Sequence, residues 1–338
     1  MAVTSDAGAQ ETATDGEPSK PGRRGQTELT AARGRLGLYL ITPTIVLLAI
    51  VIGYPVVRAV VMSFQKDPGL DPNTGLFVSG GFAGVKNYLD WIFQRCGTVS
   101  CPPGTLGAQF WPAMSATIFF TVATVVIEVI LGMWFALIMN RAFKGRGLLR
   151  ASVLVPWSIP TAVTAKLWLF IFAFQGIVNS LFHTSILWTG STWPARTAIV
   201  VADVWKTTPF IALLILAGLQ VIPGDVYEAA KVDGANAWQQ FTRLTLPLVK
   251  PALLVAILFR TLDVLRIYDL PQILTGGANK TTTLSILVVA QIRNGKFNSA
   301  AALSTITFVF IFLVAFIFVK LLGANVIKTQ QAQQKGAR

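Results

Sequence analysis

The sequence predicts an all-α, polytopic membrane protein with six transmembrane helices. Of its 338 residues, 53% are hydrophobic and 13% charged, about half the charge of a soluble domain. With 22 Phe and 9 Trp, too little polar surface remains to clothe a water-soluble globule. The apolar residues also fall in long unbroken runs. Ile118-Phe119-Phe120-Thr121-Val122-Ala123 lacks the alternation of a transmembrane β-strand.

A helix rising about 1.5 Å per residue needs about 20 residues to cross a hydrocarbon core of about 30 Å. Six runs reach that length: Leu36–Met62, Met114–Met139, Leu148–Ala173, Ala195–Leu219, Ala252–Leu274 and Ala300–Leu322. Residues 1–35 precede them as a polar tail without an apolar stretch, expected to be disordered. The first run is too long and lies too far along the chain for a typical signal core, so it reads as a retained anchor. The spans occupy residues 36–322, and residues 323–338 form a second tail.

Orientation follows from the excess of Lys and Arg on the cytoplasmic side. With the amino terminus inside, the tails, the 141–150 connection and the 223–251 loop hold more than twice as many basic residues as the outer connections. Both termini are then cytoplasmic. The outer loop 63–111 carries Cys96 and Cys101, where an oxidising exterior permits a disulfide; two free thiols are the alternative.

The net charge of +13 raises the possibility of nucleic-acid binding, but the basic residues sit in short clusters between apolar runs instead of on one polar face. With one histidine, His183, and no cysteine in a span, the usual nucleophilic triads and metal sets are missing. No catalytic residue, metal site or cofactor is expected on this chain. Gly276-Gly277-Ala278-Asn279-Lys280-Thr281 looks like a phosphate loop, but it lacks the Gly before the Lys and the second Gly five residues earlier.

Ionisable residues within the runs are the first functional signal. Glu128, Lys166, Asp203, Lys206, Arg260, Asp263 and Arg266 each cost about 2.5–3.5 kcal/mol near the bilayer centre unless paired or wetted. They read either as ion pairs joining helices or as the lining of a polar cavity open to the outside. Glu128, Lys166, Asp203, Asp263 and Arg266, with Trp205, are the candidates for a substrate pathway. Indole rings beside charged donors suit a sugar, whose ring faces stack while its hydroxyls hydrogen-bond. Pro156, Pro160 and Pro209 interrupt two runs and free backbone groups that commonly line cavities.

The cytoplasmic loop 223–251 is more specific. It reads as two short helices, the first from about Asp225 and stopping at Gly234, the second through Trp238 to Leu244 before Pro247 and Pro251 lead back into the membrane. Glu228-Ala229-Ala230, Asp233-Gly234-Ala235, Phe241, Leu246-Pro247 and Pro251 resemble the "EAA" loop of permease subunits of bacterial ATP-binding-cassette importers. Tyr268-Asp269, Leu274-Thr275-Gly276-Gly277 and Ala300-Ala301-Ala302-Leu303-Ser304 are similar to the carbohydrate-uptake, maltose-importer type in particular. The likeness covers about residues 36–322.

That resemblance implies a type I importer permease fold in the bacterial cytoplasmic membrane. It also implies a second homologous permease as heterodimeric partner, a cytoplasmic ATPase dimer holding ATP and Mg, and an external substrate-binding lipoprotein. The solute would be a sugar, a disaccharide such as trehalose, carried by alternating access. Glu228, Ala229, Ala230, Asp233, Gly234 and Ala235 would couple the ATPase to the spans. The rival readings are an ion-coupled transporter using Glu128 or Asp203, a membrane-embedded enzyme, and a permease of the same class for a solute such as glycerol phosphate.

Overall fold

The computed structural model describes residues 37–70 and 75–336. The expected disordered tail (residues 1–35), the predicted first residue of span one, Leu36, and the last two residues, 337–338, lie outside the described residues. The chain divides into two units, residues 1–58 and 59–338. The described part of the first is the helix α1 (Gly37–Ser63) as far as Arg58.

In the second unit, β1 (Gly69–Leu70) pairs with β2 (Phe77–Val78), and α2 (Lys86–Ile92) follows. The hairpin of β3 (Arg95–Cys96) and β4 (Val99–Ser100) leads to α3 (Phe110–Asn140). Then come α4 (Arg146–Ser158), α5 (Thr161–Ile171), α6 (Ile177–Phe182) and α7 (Thr192–Gln220). The series ends with α8 (Gly224–Val232), α9 (Ala237–Val264), α10 (Asp269–Thr275), α11 (Leu284–Arg293) and α12 (Phe297–Gly336). Cys96 and Cys101 are joined in a disulfide.

Among the described residues five helices are long and apolar enough to cross a membrane, and there are six if the bent α4–α5 pair counts as one span. The predicted run Leu148–Ala173 is therefore not one helix, because α4 and α5 meet at 90°. Pro160 explains the break: its ring disfavours helical backbone at the preceding residue, and Ile159 has φ −75° and ψ 132°. Pro156 and Pro209 lie inside unbroken helices.

The predicted run Ala252–Leu274 is corrected at both ends. Helix α9 starts inside the 223–251 loop, at Ala237, and passes through Pro247 and Pro251. A π-helical turn at Gln240–Thr245 precedes Pro247, and its wider winding gives the proline ring room that a regular turn denies. The helix stops at Val264, and Pro271, in the first turn of α10, starts a new one. The tail predicted from residue 323 continues α12 as far as Gly336.

The core of this unit is the α3–α7 pair. Ala113, Ala116, Ala136, Ala198, Ala202 and Ala212 are all fully buried, and such small side chains let transmembrane backbones approach closely. Gly132 marks the tightest crossing: a Cβ there would lie 2.7 Å from Ile211 Cγ2. At the other end, Asp67 caps α12 by accepting from the backbone N–H groups of Asn298 (2.6 Å) and Ser299 (3.0 Å).

Replacing Gly132 with Ala should overpack this crossing and destabilise the protein by about 1–3 kcal/mol. Gly147→Ala, whose new methyl meets open space, should not. Denaturant unfolding of both variants in detergent micelles checks the difference.

Candidate functional site

The site is built where α3, α7 and α9 cross. Glu128 lies on the α3 face that also buries Thr121, Thr124, Val125 and Gly132. A carboxylate on that face of a membrane helix must find a partner from a neighbouring helix. Arg260 of α9 supplies it with two hydrogen bonds, Nε to Glu128 Oε2 at 2.6 Å and Nη2 to Oε1 at 3.0 Å. The Thr207 hydroxyl on α7 donates to the same Oε1 at 2.5 Å.

Arg260 also pairs through Nη2 with Asp203 of α7, and through Nη1 with Asp263 Oδ2 at 2.5 Å. One guanidinium thus meets three carboxylates on three helices, and its planar fork of donors is suited to that. The three are not equivalent. Glu128 is 0% exposed and Arg260 3%, whereas the Asp263 side chain is 67% exposed. Glu128–Arg260 is the closed interior of the cluster, and Asp263 is its edge.

Lys206, one position from Thr207 on α7, works differently. Its Nζ donates to the Ile159 carbonyl at 2.5 Å. That carbonyl sits at the right-angled break between α4 and α5, where no helical N–H is placed to receive it. The cluster and the broken span are therefore tied to neighbouring positions of one helix.

A cavity of about 150 Å³ opens beside the cluster, lined by Asp203, Lys206, Arg260, Asp263, Arg266 and Asp269 among others. A second, apolar cavity of about 410 Å³ is lined by Leu131, Phe135, Pro156, Trp168, Trp205 and Pro209 among others. Trp168 and Trp205 meet edge to face there, with ring centroids 5.7 Å apart. Trp168 Nε1 and Thr164 Oγ1, one turn apart on α5, are buried and have no hydrogen-bond partner among the described residues.

Of the six pathway candidates, Asp203, Asp263 and Arg266 line the charged cavity. Glu128 lies behind them, holding Arg260. Trp205 lines the apolar cavity instead. Lys166 is exposed, on the side of α5 away from the buried Thr164 and Ala165, and lines neither. Arg260, the centre of the cluster, is missing from the predicted pathway set, although its position three residues before Asp263 puts both on one helix face. Thr207 and Asp269 carry no comparable sequence signal. Among the described residues, no group of three or more His, Cys, Asp or Glu is placed to hold a metal.

The loop residues form a compact unit. Glu228 and Ala229 are exposed on α8, and Ala230 is buried. Gly234 has φ +79°, the left-handed conformation that favours glycine after a helix. Around it the Ala235 N–H bonds to the Ala230 carbonyl (2.9 Å) and the Gly234 N–H to that of Lys231 (3.0 Å), a Schellman closure. Two residues later, Asn236 and Gln239 form a reciprocal capping box that opens α9. The Tyr227 and Thr245 hydroxyls, 3.1 Å apart, tie α8 to the π turn. Val221, Val232 and Trp238 stay more than two-thirds exposed.

Residues 128–328, which span the charged cluster and this loop, match the family described as the inner membrane component of binding-protein-dependent transport systems. The chain belongs to that family. The permease is 37% identical over 301 residues to the trehalose/maltose transport system permease protein MalF of Thermococcus litoralis, covering 87% of this chain and 96% of that one. It is 38% identical over 298 residues to the trehalose transport system permease protein SugA of Mycobacterium tuberculosis, covering 87% and 90%. The fold matches a bacterial ABC transporter involved in the import of the acidic polysaccharide alginate, with a TM-score of 0.71, 19% identity, and coverage of 88% of this chain and 99% of that one. The permease is thus a transport subunit of the inner membrane rather than an enzyme, and the ion-coupled and enzymatic readings give way to this one.

Glu128→Ala would leave Arg260 without its bidentate partner, and breaking a buried pair costs about 3–5 kcal/mol. The permease level in membranes should fall sharply. Asp263→Ala, at the exposed edge, should keep the level near wild type while lowering solute uptake. Immunoblots of membrane fractions beside uptake rates separate the two effects.

Proposed function

We propose that the permease is one of two homologous membrane subunits of an ATP-driven importer and carries a sugar, a disaccharide such as trehalose, into the cell by alternating access. The observation that carries this reading is the 37–38% identity, over 87% of the chain, to permeases named for trehalose and maltose. The charged cavity supports it. Asp203, Asp263 and Asp269 offer acceptors, and Lys206, Arg260 and Arg266 offer donors, a mixed set suited to a neutral solute with many hydroxyls. In the neighbouring apolar cavity Trp168 and Trp205 offer ring faces.

In this reading both termini are cytoplasmic and the Cys96–Cys101 hairpin faces the oxidising exterior. Glu228, Ala229, Ala230, Asp233, Gly234 and Ala235 form the coupling segment, which docks on a cytoplasmic ATPase dimer that holds ATP and Mg. The exposed Val232 and Trp238 supply apolar contact for that docking. An external substrate-binding lipoprotein delivers the sugar.

The test is uptake of radiolabelled trehalose and maltose by the reconstituted system, with and without its ATPase. Import of either sugar by the permease alone, or by the full system without ATP, would contradict the proposal. Within that assay Gly234→Val should abolish uptake and uncouple ATP hydrolysis from the sugar-loaded binding protein, while the chain still inserts. A β-branched residue cannot hold the left-handed backbone of the turn, which costs about 1–2 kcal/mol even for an unbranched side chain. Gly234→Asn, which tolerates that backbone, should keep much of the activity.

A further inference from the structure

Helix α2 is amphipathic, and the described chain covers only one of its faces. On the inner face Trp91 is 3% exposed and packs with Phe110, Leu284, Leu287 and Leu303, with Tyr88 against the same cluster. On the other face Val85, Leu89, Ile92 and Phe93 recur at the spacing of a helical stripe. They are 58%, 42%, 37% and 60% exposed, and Phe82 just before them is 80% exposed.

Two indole hydrogen bonds fix the height of this face relative to the spans. Trp91 Nε1 donates to the Ser299 carbonyl at 3.0 Å, in the first turn of α12. Trp111 Nε1, in the first turn of α3, donates to the Ile92 carbonyl, also at 3.0 Å. Helix α2 is thereby pinned to the amino-terminal ends of two membrane-length helices. Trp111 also heads an exposed apolar stripe down α3 through Ile118, Val122 and Val126. The Trp111 hydrogen bond thus joins the head of that stripe to the end of α2. Lys86 and Arg95 are exposed at either end of α2, and the Arg95 guanidinium lies 5.7 Å from the centre of the Phe93 ring.

We propose that α2 is an in-plane membrane helix whose partner is phospholipid: Val85, Leu89 and Phe93 enter the acyl boundary of the leaflet on the disulfide side, with Lys86 and Arg95 at the headgroup phosphates. The favoured arrangement of an interfacial helix is an apolar face sunk to the headgroup boundary with cations and indoles beside it. A protein occupant is less favoured, because the residue that holds the end of α2, Trp111, also heads the exposed apolar stripe of a membrane-length helix. The inference does not depend on which solute is carried.

Spin-label accessibility in the assembled transporter, reconstituted in phospholipid nanodiscs, tests it. A nitroxide is placed on Leu89→Cys and, separately, on Phe93→Cys, with Phe82→Cys as a third site if either variant assembles poorly. Ile118→Cys serves as the membrane reference and Gly104→Cys as the aqueous one. Labels on α2 should collide severalfold more with dissolved oxygen than with a water-soluble nickel chelate, close to the Ile118 ratio and unchanged by added binding protein. A ratio like that of Gly104 would overturn the proposal. So would low collision with both reagents, which would place the face against protein, or protection that appears only when the binding protein is added.

Discussion

The Glu128–Arg260 pair is the constraint around which the bundle is arranged. Neither residue is tolerable alone in a membrane interior, where a single unpaired charge costs about 2.5–3.5 kcal/mol or more. Their meeting fixes the register of α9 against α3, and the Thr207 hydroxyl and Asp203 carboxylate fix α7 against both. Small residues along α3 and α7 bring the backbones close enough for these contacts. Packing and pairing therefore demand the same geometry, which is how a sequence comes to specify one arrangement.

The polar groups that remain are divided by exposure. Asp263, Arg266 and Asp269 are accessible and border the charged cavity, while Glu128 is sealed. Lys206 extends the same network to the broken span by binding the carbonyl left free beside Pro160. A right-angled bend in a membrane crossing needs such a donor, since the hydrocarbon offers none. The indoles lie on the apolar side, so ring faces and charged donors occupy neighbouring but separate chambers.

The hydropathy of the sequence was enough to locate the apolar, membrane-length segments, though not the break at Pro160 or the ends of α9, because apolar run length is a local property. The turn that ends α8 was equally legible, since Gly234 and its flanking residues carry their turn chemistry with them. Partnership across long stretches of chain was not. Glu128 and Arg260 are 132 positions apart, and nothing near either residue specifies the other; only Asp263, within one turn of Arg260, was legible as its neighbour. The π turn at Gln240–Thr245 was likewise hidden. Pro247 and Pro251 signal a helix end when read locally, and a widened turn that accommodates them depends on the surrounding fold. Lys166 shows the opposite failure: a cation in an apolar run looks like part of a pathway until the helix phase shows that it points away.

Helix α9 begins at the capping box of the 223–251 loop and runs on to the residues around Arg260. Its 28 residues, at about 1.5 Å each, make a strut of about 40 Å. A tilt of the whole helix about Asn236 would move its far end, where Arg260 meets the carboxylates of two other helices. On the proposed reading, contact at the loop and rearrangement at the cavity would be two ends of one displacement, with no intermediate messenger to lose or delay it.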